Sequence, residues 1–176
     1  MDVVLKRLQR NIEKMNEKYM EFKEVERGKS GENELKYNEK NDLTYQVVME
    51  LIMWVINTND LLYKNFSSYR KEINKNIKIS KMLFGVRHAF NMFKHNMAIL
   101  SVEEKEHIPF FSTDKDDYCI EQTVWLDVTN ITVNGDRQDA RQAYVDYLQN
   151  RTLQESFNAI IPFLNAQYND VLANSK

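Results

Sequence analysis

The sequence predicts a mainly α-helical fold: an up-and-down bundle of four to five helices, with a β-hairpin inserted between the third and fourth. Three observations carry that expectation. Apolar residues recur at spacings of three and four along most of the chain. Only 4 Gly and 2 Pro punctuate 176 residues, too few for a sandwich, a many-turned barrel or a glycine-cradled nucleotide loop. Hydrophobic residues make up 43% and charged residues 28%, enough apolar material for one core in a single domain spanning 1–176.

The first helix is expected from Asp2 to about Arg27, where Leu5, Leu8, Ile12, Met15, Tyr19 and Phe22 form one stripe. Residues 27–40 are polar, hold Gly28 and Gly31, and read as a mobile connection. Asn41 and Asp42 then cap a second helix running to about Tyr69. Its Val48, Ile52, Val55 and Ile56 point inward, and Leu51, Met53 and Trp54 make it apolar on further faces, as suits a central helix. A third helix from about Ser80 to Leu100 has Met82, Leu83, Val86, Phe90, Phe93 and Met97 on its apolar side. From 108 to 128 the pattern alternates like strands around an acidic turn at Asp114–Asp117, which predicts the hairpin. Gly135 and Asp136 precede a fourth helix, from about Arg137 to Asn150, with Ala140, Ala143, Tyr144 and Tyr147 inside. The last helix opens on Thr152, with Glu155 at capping-box distance, and Pro162 is expected to kink or divide it.

Composition also limits the chemistry. A single cysteine, Cys119, rules out an intramolecular disulfide and a cysteine zinc cluster, and points to a reducing cytoplasm. The first ten residues lack a signal-peptide pattern, and Val47–Ile56 is about half a membrane span, so no membrane association is expected. Phosphate-loop, nucleophile-elbow and paired-histidine zinc motifs are missing, so neither cofactor nor metal is expected. The net charge of −2 is unevenly spread. Residues 64–98 carry eight Lys and Arg against Glu72 alone, while residues 99–176 are net acidic. Such a basic stretch attracts phosphate, or else pairs with the acidic third of the same chain.

The third helix holds the most informative pattern, Val86-Arg87-His88-Ala89-Phe90-Asn91-Met92-Phe93-Lys94-His95. With Arg87 as origin and about 100° per residue, Asn91 falls at about 40°, His95 at about 80°, His88 at about 100° and Lys94 at about −20°. One arc therefore holds a cationic, amide-bearing front opposite a greasy back.

With that arc the chain resembles the HEPN superfamily, small helical domains in which a long helix carries an Arg, usually an Asn, and a His a few residues later. Asn91-x-x-x-His95 matches the Asn-to-His part. Trp125 in the hairpin, Tyr144-x-x-x-Leu148 and Asn150-Arg151-Thr152-Leu153 are similar to uncharacterised bacterial members, and the likeness spans roughly residues 42 to 172. The family's Arg directly precedes the Asn; here Phe90 stands there and Arg87 lies a turn earlier. The resemblance implies a homodimer through the Arg87–His95 face, and either RNA binding or metal-independent RNA cleavage, as in bacterial defence or toxin systems. It implies His95 as general acid or base, Arg87 stabilising charge on phosphate, and Asn91 as an orienting group. Lys75, Lys78, His88 and Lys94 would contact RNA. The alternative is a non-catalytic interaction module whose basic face meets an acidic protein partner.

Overall fold

The computed structural model describes residues 3–27, 34–95, 98–105, 120–128 and 137–174, with the backbone alone at 27, 34–41, 102–105 and 120–121. Six helices and two strands follow in order: α1 (Val3–Arg27), α2 (Glu34–Asn65), α3 (Ser67–Lys75), α4 (Ile77–Lys94), β1 (Leu100–Lys105), β2 (Ile120–Trp125), α5 (Gln138–Tyr147) and α6 (Leu153–Ala173). The mainly helical class and the hairpin between the α4 and α5 regions match the sequence expectation.

The stripe of α1 is buried as its periodicity requires, with Leu8, Met15 and Phe22 fully inaccessible. Helix α2 is the central element. Val48, Leu51, Ile52, Val55 and Leu62 on more than one of its faces are all fully buried. Edge-to-face contacts of Phe157 with Tyr19 and Phe22 seat α6 against α1.

Several boundaries differ from expectation; α4, expected to reach Leu100, ends at Lys94 with His95 as its C-cap, and Leu100 opens β1. Helix α2 starts at Glu34, so the expected connection is helical from 34 to 40, and Gly28 and Gly31 lie outside the described residues. The chain then breaks at Phe66, whose extended backbone ends α2 and makes the following segment a separate short helix. Asn76 starts α4 three residues before the expected Ser80 start by accepting a hydrogen bond from the Ile79 N–H at 3.3 Å, a side-chain N-cap. The hairpin's first strand is Leu100–Lys105 rather than a strand beginning at 108, and it pairs antiparallel with β2 from Leu100↔Trp125 to Lys105↔Ile120. Residues 108–119, with the acidic turn and Cys119, lie outside the described residues, as do Met97, Gly135 and Asp136.

Thr152 caps α6 as expected. Its hydroxyl accepts from the Glu155 N–H at 3.1 Å, while the Glu155 carboxylate accepts from the Thr152 N–H at 3.4 Å. Pro162 does not divide α6, which runs unbroken from Leu153 to Ala173. Both Pro162 and Asn158, whose carbonyl loses its helical donor, face solvent, so water can satisfy that group.

Two contacts fix the packing around α4. Gly85 lies so close to α5 that a Cβ there would come within 2.9 Å of Leu148 Cδ1 and 3.0 Å of Tyr144 Cα. Trp125, fully buried, contacts Tyr144 and Phe157 and donates its indole N–H to Ser156 Oγ at 3.0 Å. Its backbone bonds the α5–α6 turn in both directions, from Trp125 N–H to Arg151 O and from Asn150 N–H to Trp125 O. Asn150 takes φ 60° in that turn, a left-handed conformation asparagine tolerates better than most residues.

This packing sets the response to two perturbations. Gly85→Ala should cost about 1–3 kcal/mol in urea unfolding, because overpacking outweighs the roughly 1 kcal/mol gained in helix propensity. Burial raises the phenol pKa values of Tyr69 and Tyr144, further lifted by the nearby negative charges of Asp60 and Asp127. The unfolded chain therefore loses these protons first on the alkaline side. Stability should be retained below the ordinary tyrosine range of about 10 and fall as pH rises above it, seen as tyrosinate absorbance appearing together with loss of helical circular dichroism.

Candidate nucleic-acid interface on helices 2 to 4

Each expected site residue on α4 has a distinct surrounding. Arg87 is half-buried and its guanidinium pairs with the Asp60 carboxylate of α2. Asn91 and Lys94 are exposed on the last turns, and the Lys94 ammonium lies 4.3 Å from the Phe90 ring centroid. His95 is the exposed C-cap, its backbone N–H bonded to Met92 O. Asn91, Lys94 and His95 thus share one accessible end of α4.

His88 requires a correction. It is 1% exposed and its ring lies 5.4 Å from that of Tyr144, so it belongs to the core between α4 and α5 and offers no surface to RNA. On a helical wheel it sits at the edge of the polar arc, and the close approach of α5 at Gly85 covers that edge. Arg87 and His95 are not adjacent either. Eight residues separate them, about 12 Å along the axis.

The expected lysines lie at the opposite, N-terminal end of α4 and on α3. Lys75 is exposed and pairs with Glu72 at 3.1 Å. Lys78 is exposed and lines a shallow polar cleft of about 640 Å³ with Met82, Arg151, Glu155, Ser156, Asn158 and Ala159. Lys64, Lys71 and Lys81 are also exposed, and none of these three, nor Lys78, has a carboxylate partner among the described residues.

A second cleft, about 340 Å³, opens between α2, α3 and α4. Arg87 and Asp60 line it together with Asn59, Tyr63, Ile73, Asn74, Ser80, Leu83 and Phe84. The Tyr69 hydroxyl donates to Asn59 Oδ1 at 2.6 Å, which turns the Asn59 amide nitrogen toward Asp60. Asp60, Asn59 and Tyr63 are additions to the site expected from sequence. Their signal there is the polar Asn57-Thr58-Asn59-Asp60 that interrupts an otherwise apolar helix.

Among the described residues, no group of three or more His, Cys, Asp or Glu side chains could hold a metal ion, and no helix is long and apolar enough to cross a membrane. Compared with protein-family models, curated proteins and solved structures, the chain matches none of them.

The two environments on α4 predict opposite sensitivities. Arg87→Ala should change stability by less than about 1 kcal/mol, since its ion pair is largely solvated. His88→Ala should cost about 2–4 kcal/mol through the cavity left against Tyr144. Denaturant midpoints of the two variants check the contrast.

Proposed function

We propose that this chain is an RNA-binding protein of HEPN-like type, which holds the phosphate backbone along the end of α2, α3 and the first turns of α4. The observation that carries this reading is the set of exposed lysines on these segments, Lys64, Lys71, Lys75, Lys78 and Lys81, of which only Lys75 has a carboxylate partner among the described residues. Unpaired surface cations close in sequence produce the local positive potential that phosphates follow. Helix α4 does pack on α5 and α6 of the acidic third, yet Lys78 and Lys81 form no ion pair there among the described residues.

Cleavage demands more than binding. A general acid or base and a phosphate-stabilising guanidinium must reach one scissile phosphate. Within one chain, Arg87 is engaged by Asp60 and His95 stands about two turns away. A homodimer through the exposed Asn91–His95 end of α4 would bring two histidines together, and that assembly is the form in which we propose catalysis. In it, one His95 would take the proton of the attacking 2′-hydroxyl, the 2′-oxygen would bond to phosphorus as the P–O5′ bond breaks to leave a 2′,3′-cyclic phosphate, and the second His95, in its protonated form, would give its proton to the leaving 5′-oxygen.

Fluorescence anisotropy with a single-stranded RNA over a salt series tests the binding reading. Wild type should weaken linearly in log–log salt, and joint Lys71→Ala and Lys78→Ala substitution should lower the slope by about 0.7 for each phosphate that is no longer neutralised. Absence of binding even at low salt would refute it and favour the interaction module with an acidic protein partner. RNA cleavage in EDTA that vanishes in both Arg87→Ala and His95→Ala would identify a nuclease; intact RNA would restrict the function to binding.

A further inference from the structure

We infer that the cleft between α2, α3 and α4 is a pocket for one unstacked guanine base of a single-stranded RNA. This assignment rests on the RNA-binding reading and names what its base-recognising site accepts. The cleft, at about 340 Å³, falls at the small end of ligand sites. Two of its walls are aromatic side chains that the fold leaves open to solvent, Tyr63 at 49% and Phe84 at 38% exposure. Large exposed rings flanking one opening, with Arg87 on its wall, match the stacking platforms on which splayed RNA bases lie. Arg137 covers one side of Phe84, its guanidinium 5.7 Å from the ring centroid and tied to Asp139 at 2.6 Å, which leaves the other side for a base.

The polar groups select among bases. Arg87 and Asp60 present a donor next to an acceptor on the wall of the same cleft. The Asn59 amide donates to Asp60 Oδ1, the same oxygen that Arg87 engages, so Oδ2 has no partner among the described residues. Guanine offers the complement: its N1–H and N2–H donate to a carboxylate while O6 accepts from the guanidinium, three hydrogen bonds along one edge. Adenine can make two with this pair. Uracil can offer N3–H and O4 to the same pair, but its O2 then faces the second carboxylate oxygen, which is repulsive.

The test compares all-uridine RNA with the same oligonucleotide carrying one central guanosine, adenosine or inosine. Guanosine should raise wild-type affinity about tenfold over all-uridine RNA, the discrimination expected of one bidentate contact. Inosine, lacking the 2-amino group, should lose most of that gain, and adenosine should fall below guanosine. Asp60→Asn and Tyr63→Ala should each erase the guanosine preference, the two substitutions acting on the hydrogen-bonding edge and on the stacking face separately. Equal wild-type affinity for guanosine and all-uridine RNA would overturn the pocket while RNA binding itself stands. A guanosine preference that survives both substitutions would also overturn it. No binding to any of the four RNAs at low salt would overturn the RNA-binding reading, and the pocket with it.

Discussion

Helix α4 is clamped from two sides, and the arrangement of every site group that α4 carries from Arg87 onward depends on that clamp. On one side Gly85 allows α5 to approach until Tyr144 and Leu148 occupy the space a Cβ would need. On the other, α2 reaches Arg87 through Asp60. A helix buried in this way exposes only a narrow arc. His88 falls inside the clamp and becomes core; Arg87 falls at its margin and lines a cleft; Asn91, Lys94 and His95 lie beyond it and meet solvent. The absence of one side chain, at Gly85, thus divides a continuous polar arc into three environments.

The clamp is itself held from behind. Tyr144, which meets His88, also meets Trp125 and donates its hydroxyl to Leu126 O at 2.8 Å. Trp125 in turn joins the hairpin to the α5–α6 turn through two backbone bonds and to α6 through Ser156. Two residues before Trp125 on β2, Thr123 donates its amide to the Glu26 carboxylate at 3.1 Å, tying the hairpin to the end of α1. The two strands therefore act as a strap between distant helices, and α4 is positioned by contacts that reach well beyond its immediate neighbours.

The parts of the fold that local chemistry determines are legible in the sequence. The stripe from Leu8 to Phe22, the Thr152–Glu155 capping box and the apolar faces of α2 each follow from residue spacing, because burial and capping depend on neighbours three or four positions away. The breaks at Phe66 and Asn76 are less visible, since neither glycine nor proline marks them and an asparagine cap resembles any other polar residue. Within the site, the polar arc of α4 can be read from the sequence, yet its division cannot. A helical wheel reports direction without reporting what lies in that direction, and the partners of Arg87 and His88 come from residues 27 positions before and 56 positions after. Asp60 and Tyr63 give little signal because each is ordinary on its own helix and acquires meaning only opposite Arg87 and Phe84.

The function proposed here requires RNA to lie along the α3–α4 surface and not on another face of the bundle. Backbone amide chemical shifts recorded while a single-stranded RNA is titrated into the isotopically labelled protein test it most directly. Perturbations should concentrate from Asp60 through Arg87 and leave the exposed face of α1 unchanged. Shifts confined to α1 or α6, or an unchanged spectrum at saturating RNA, would contradict it.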